Sequence, residues 1–153
     1  MLKEAWPICQ ETDSKFIGPR VLAMTALATE AADSRVRALA NGEAIIKEGC
    51  AAHNVLWFRR DAIEASIAAG EWDEAERHAA ALEEFTRPEP LPWSDYYMAW
   101  GRALAAFGRD PGDGAALARL KAEAEAYGLA AALPVIERSL DRAGVPQQTE
   151  SGI

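Results

Sequence analysis

The sequence predicts an all-α fold of about eight helices, and three observations carry that expectation. Alanine dominates a hydrophobic share of 50%, and alanine is the best helix former while being too small to fill a strand-based core alone. Segments of helical length alternate with breaks at 12–14, 29–34, 49–54, 70, 87–93, 108–114, 128 and 144, each carrying turn or cap residues. No alternating apolar pattern of a strand competes with them. At 153 residues with 26% charged side chains, the chain lies among folded proteins of one domain and can bury roughly 70% of its unfolded surface.

The helices are expected over 2–11, 15–28, 34–48, 55–69, 72–85, 93–107, 114–127 and 131–143. Pro7 and Pro134 break helix interiors, so each belongs in a first turn, where its missing N–H costs nothing; the first helix is therefore short or kinked. Ser14, Asp33 and Asn54 can each accept from the first-turn N–H groups of the helix that follows. Gly128 and Gly144 are left-handed stops. In the last helix Leu133, Ile136 and Leu140 form one apolar stripe opposite Glu137, Arg138, Asp141 and Arg142, as a terminal capping helix requires. Residues 1–144 then make one helical domain, and 145–153, with Pro146, Gln147, Gln148 and Ser151, a disordered tail.

The most informative stretch runs from Ala62, Ile63 and Ile67 to Gly70, then Trp72, Asp73, Glu74, Ala75, Ala79 and Leu82. It resembles a tetratricopeptide repeat, in which two helices cross through small residues, a glycine turn separates them, and an aromatic residue and an acidic pair open the second helix. Tyr97, Trp100, Gly101, Leu104 and Gly108 repeat the order of a first repeat helix, with Gly101 permitting close approach by its partner. From Gly70 to Gly108 is 38 residues, against about 34 for the repeat, and the proline-rich loop from Arg87 to Trp93 holds the excess. The second helix of that copy, around 116–127, lacks the Trp-Asp-Glu-Ala opening and is degenerate. Segments 16–28 and 36–48 make a pair of weaker consensus, and 2–11 reads as the second helix of a pair whose first is missing. The resemblance implies a right-handed superhelix of about eight antiparallel helices, a tetratricopeptide-like α-solenoid.

Four segments are more specific: HNVLWFRRDAIE at 53–64, WDEAERHAAALE at 72–83, RPEPLPWSD at 87–95 and GRALA at 101–105. Together they resemble the C-terminal helical-repeat region of large bacterial class III adenylate or guanylate cyclases, the type that also carries an ATPase-like module. The likeness covers about residues 2–143. It implies a sensory or regulatory region serving a nucleotide cyclase, yet this chain contains neither a cyclase domain nor a phosphate-binding loop, so binding or assembly is expected of it and catalysis is not.

Composition narrows the partners. A net charge of −8 and a pI near 4.8 argue against a nucleic-acid backbone, which clustered Lys and Arg would neutralise. No 18-residue apolar run and no basic leader occurs, so a cytoplasmic protein without membrane attachment is expected. Cys9 and Cys50 are too few for a disulfide scaffold and are expected as buried free thiols. No GxxxxGK[ST], HExxH or GxSxG motif is present, and the loop from Asp110 to Gly114 places Lys121 where a calcium loop needs a bidentate glutamate. No cofactor or metal is expected. Glu74 and His78 lie four apart and read as an exposed pair; His53 reads as a residue of a helix start. Asp61, Glu64, Asp73, Glu74 and Glu89 could offer an acid–base couple, but among 24 acidic residues most are expected on solvated faces or helix N-termini.

The aromatics Trp93, Tyr96, Tyr97 and Trp100 recur at helical spacing, with Trp57 and Phe58 one first helix earlier, and core packing explains most of them. In tetratricopeptide geometry the first helices line a concave face, and the phase set by the turn glycines points Trp57, Arg60, Glu64, Asp95, Met98 and Arg102 toward it. These six form the expected partner groove, with Arg60 and Arg102 gripping carboxylates of a protein or peptide and Trp57 supplying flat apolar area. Against recognition stands mutual neutralisation of Arg60 by Glu64 and of Asp95 by Arg102 as exposed pairs of about 0–1 kcal/mol. Two further roles fit the pattern: a small-molecule sensor with a ligand stacked on Trp57 or Trp93, and a homodimer closing an apolar face around Leu2, Trp6 and Cys9.

Overall fold

Helix-forming alanine runs, interrupted where glycine can turn the chain, set the architecture. The computed structural model describes residues 2–11, 14–112, 114–142 and 144. Among them are eight α-helices and no strand: α1 (Leu2–Glu11), α2 (Ser14–Ala28), α3 (Ala32–Glu48), α4 (Ala52–Ala69), α5 (Trp72–Thr86), α6 (Pro92–Arg109), α7 (Ala115–Tyr127) and α8 (Leu133–Arg142), the last preceded by a short 3₁₀ turn at Ala130–Ala132. No described helix is long and apolar enough to cross a membrane. The tail expected to be disordered, 145–153, lies outside the described residues.

Helix ends follow local chemistry in part. Gly70 and Gly128 end α4 and α7 at φ 73° and 68°, a conformation open to glycine at little cost. Pro134 sits in the first turn of α8, as its missing N–H demands, and Pro92 opens α6. Pro7, however, lies inside α1 instead of in its first turn, and Pro19 lies inside α2. Packing holds both helices across the break: Cys9 is buried, Trp6 packs on the α2–α4 core, and Pro19 is itself fully buried. The caps expected at Asp33 and Asn54 also move inward, because α3 and α4 begin at Ala32 and Ala52. Asn54 is buried and donates its amide to the Phe16 carbonyl, tying α4 to α2. Ser14 is the first residue of α2.

The core is built around α4, which touches α2, α3, α5 and α6. On one side Leu22, Ala23 and Ala26 of α2 and Leu39 of α3 enclose Phe58. On the other, Ile63 leads into a larger cluster with Leu82, Trp100, Leu104, Leu117 and Ile136, which spans α4 to α8. Small residues set the close approaches. A Cβ at Gly101 would lie 2.7 Å from Ile63 Cγ2, so the helix that approaches Gly101 is α4. A Cβ at Gly42 would overlap the Phe58 ring.

Gly108 does not act as a turn glycine. The helix α6 continues to Arg109, and a Cβ at Gly108 would come within 2.6 Å of the Trp72 indole. The glycine therefore makes room for the aromatic residue that opens α5, and the turn conformation belongs to Gly114 at φ 75°.

Candidate binding surface

Helical spacing brings Trp57, Arg60 and Glu64 onto one face of α4, where Trp57 and Arg60 meet aromatic rings of α6 and Glu64 meets Arg60. The Arg60 guanidinium lies 2.6 Å from Asp61 Oδ1 and 2.8 Å from Glu64 Oε2, and it donates to the Ala131 carbonyl at 3.2 Å. It also stands 5.5 Å over the Tyr97 ring. The Trp57 indole meets Trp93 edge-on at 5.3 Å and lies beneath the Arg20 guanidinium at 4.5 Å. Trp93 in turn packs on Tyr97 at 4.5 Å. Burial holds the Asp61 and Glu64 carboxyls above their ordinary range, against the opposing pull of Arg60. Burial likewise raises the Tyr97 phenol. The Asp61 side chain is 5% exposed, so neither it nor Glu64 belongs to the solvated carboxylates expected on helix surfaces. This knot engages both terminal nitrogens of Arg60 from within the chain, while its buried Nε has no hydrogen-bond partner.

The other three residues of the expected groove go elsewhere. Met98 is buried in the main core. Arg102 is exposed and reaches Glu83 of α5 at 2.5 Å, so its intramolecular partner is Glu83 instead of Asp95. Asp95 is exposed in the first turn of α6. Arg60 does pair with Glu64, but the contact is largely buried, the two side chains 11% and 14% exposed, and is not the exposed pair expected.

Farther along the chain, His78 is fully buried and does not form an exposed pair with Glu74, which instead binds Arg77 at 2.8 Å. Its ring nitrogens lie 3.1 Å from Arg59 Nη1 and 3.1 Å from Arg77 Nη2, and its face meets Phe58 edge-on at 5.9 Å. Arg59 also grips Glu43 of α3 through both guanidinium ends, one of them at 2.8 Å. Burial, with two neighbouring arginines, depresses the His78 imidazole to about 3. A neutral ring thus joins α3, α4 and α5. Among the described residues no three of His, Cys, Asp and Glu gather as a metal would need. Cys9 is buried, and Cys50 is a free thiol that is only half-buried, against the buried position expected.

An open site exists between α6 and α7. A cleft of about 470 Å³ is walled by Trp93, Tyr96, Tyr127 and Leu129, with the carboxylates of Asp95 and Glu123 at its sides. Tyr96 turns its hydroxyl away to donate to the Leu120 carbonyl at 3.1 Å, and burial pushes that phenol up to about 12, so its ring stays neutral. Tyr127 is 73% exposed. The sequence reading singled out Asp95 for a groove with Arg102 and Trp93 for a stacked ligand, and it named neither Glu123 nor Tyr127 as a site residue. Their i, i+4 spacing on α7 was the available signal, obscured because that helix lacks the repeat consensus.

Comparison with protein-family models, with curated proteins and with solved structures gives no significant match to this chain.

Proposed function

We propose that the chain is a non-catalytic protein-interaction module, a regulatory element related to the helical-repeat region of bacterial nucleotide cyclases. Its helices run antiparallel and stack as a right-handed, tetratricopeptide-like superhelix, and a segment of a partner protein docks on it. One observation carries this reading: the aromatic cleft between α6 and α7, whose volume of about 470 Å³ falls within the roughly 300–1,000 Å³ typical of binding pockets. A large tyrosine left 73% exposed at its edge suits an anchor contact, since aromatic residues dominate binding energy at interfaces. The arginines first expected to grip the partner are engaged with Asp61, Glu64 and Glu83, so the cleft is the better docking position.

Selection of a displayed random-peptide library on the immobilised protein tests this. Peptides that enrich should lose about tenfold in affinity for Tyr127→Ala, while its melting temperature stays at the wild-type value because the ring is outside the core. Failure of any sequence to enrich, or equal affinity for Tyr127→Ala, refutes the reading.

A further inference from the structure

We infer that the α6–α7 cleft selects a basic side chain, lysine or arginine, on the docked protein segment; this rests on the reading of the cleft as a peptide site. Several arginines of the chain are already engaged with its own carboxylates. Arg35 holds Glu71, Arg59 holds Glu43, Arg60 holds Asp61 and Glu64, Arg102 holds Glu83, and Arg109 holds Asp73 and Glu76. Carboxylates near the helix contacts are, in these cases, neutralised from within.

Asp95 and Glu123 are different, because no basic side chain among the described residues pairs with either and none lines the cleft they share. They approach it from two helices, Asp95 from the first turn of α6 and Glu123 from the middle of α7. Many acidic residues are expected to be unpaired in a chain of net charge −8, and a helix N-terminus by itself favours Asp95. What sets these two apart is the apolar aromatic wall between them. An aliphatic stem with a cationic head matches that arrangement: the stem covers Trp93 and Leu129, while the head meets the carboxylates and the faces of the aromatic rings. An acidic side chain would instead meet two like charges in a partly desolvated cleft.

The engaged Tyr96 hydroxyl strengthens the case. Because it is already donated to the Leu120 carbonyl, it offers a neutral ring wall and no competing donor for the two carboxylates. Burial is the main reason the Tyr96 phenol is raised, and the Glu123 charge adds to it, in keeping with both residues lining the cleft.

The test titrates the full chain with two capped tripeptides, acetyl-Leu-Lys-Leu-amide and its norleucine isostere, and follows the Trp93 indole N–H by NMR after assignment with Trp93→Phe. The lysine peptide should bind roughly fivefold more tightly than the norleucine peptide, as expected for a cation beside two partly exposed carboxylates. The preference should vanish in Asp95→Asn/Glu123→Gln and shrink with added salt. Equal affinities of the two peptides, a lysine preference that survives the double substitution, or no response of Trp93 to the lysine peptide each overturns the inference. The library selection judges the cleft itself: peptides that enrich without a basic residue yet depend on Tyr127 would leave the docking site standing and remove only its charge preference.

Discussion

Lowering the pH from 7 to 5 should weaken folding through His78 alone by about 2 kcal/mol. In the unfolded chain its imidazole takes the ordinary value of 6.5, whereas in the folded protein it is depressed to about 3. Between those values the unfolded state binds a proton that the native state refuses. Stability from the neutral ring is therefore fully present above 6.5 and is lost as the pH falls toward the folded value. With about 1.36 kcal/mol for each pH unit of displaced protonation, the interval from 6.5 down to pH 5 gives the stated 2 kcal/mol. For a chain of this size that shifts the urea midpoint by roughly 1 M. The groups facing the ring are Glu43, Arg59 and Arg77, and Glu43 is held below its ordinary value by Arg59 and Arg77 against the cost of burial. The raised carboxyls of Asp61 and Glu64 act in the opposite direction, since the cost of their charged forms is relieved on acidification. The informative quantity is thus the difference in pH dependence between wild type and His78→Gln, measured by urea unfolding at pH 7, 6 and 5. A wild-type curve that parallels the variant, or imidazole NMR signals of His78 that titrate near 6.5, refutes the argument.

Two further perturbations probe the packing. Gly101→Ala places a methyl 2.7 Å from Ile63 Cγ2, and the overpacking of about 1–3 kcal/mol should exceed the roughly 1 kcal/mol that alanine gains over glycine in a helix; a thermal melt raised by the substitution would contradict the close approach of α6 to α4. Arg59→Met leaves Glu43 without its two-ended partner and should cost about 3 kcal/mol, the lower end for breaking a buried pair because Glu43 retains 30% exposure. Urea unfolding indistinguishable from wild type would show that Arg77 alone suffices to hold Glu43.

The helices were legible because their signals are local. Alanine runs and glycine breaks located all eight to within a few residues, and Gly70, Gly128 and Pro134 take the positions that backbone sterics assign them. Pro7 and Pro19 show where local signals fail: buried faces on α1 and α2 hold helical geometry through a residue that removes a donor. Gly108 shows a second kind of failure, since a glycine needed for room beside Trp72 is indistinguishable in sequence from one needed for a turn. His78 shows a third. Its i, i+4 relation to Glu74 is a true statement about one helix, but the side chain is claimed by Phe58, Arg59 and Glu43 from two other helices. No single-helix spacing contains that information.

The expected groove failed to assemble for the same reason, and its failure explains where an open site remains. Helical phase correctly placed Trp57, Arg60 and Glu64 on one face of α4, but a face that points toward neighbouring helices is available to a partner only where those neighbours leave it uncovered. Here the Trp93 and Tyr97 rings of α6 and the Ala131 carbonyl before α8 close over it. Arg60, with two carboxylates already in reach, gains little from a third supplied by a partner and would first have to surrender a desolvated contact. Between α6 and α7 the cover is less complete: Trp93 is packed by Trp57 and Tyr97 and also lines the cleft with Tyr127 and Leu129. The same indole therefore links the sealed knot to the open cleft, and a segment docking there would bear on the Trp57–Trp93–Tyr97 stack that fixes α4 against α6.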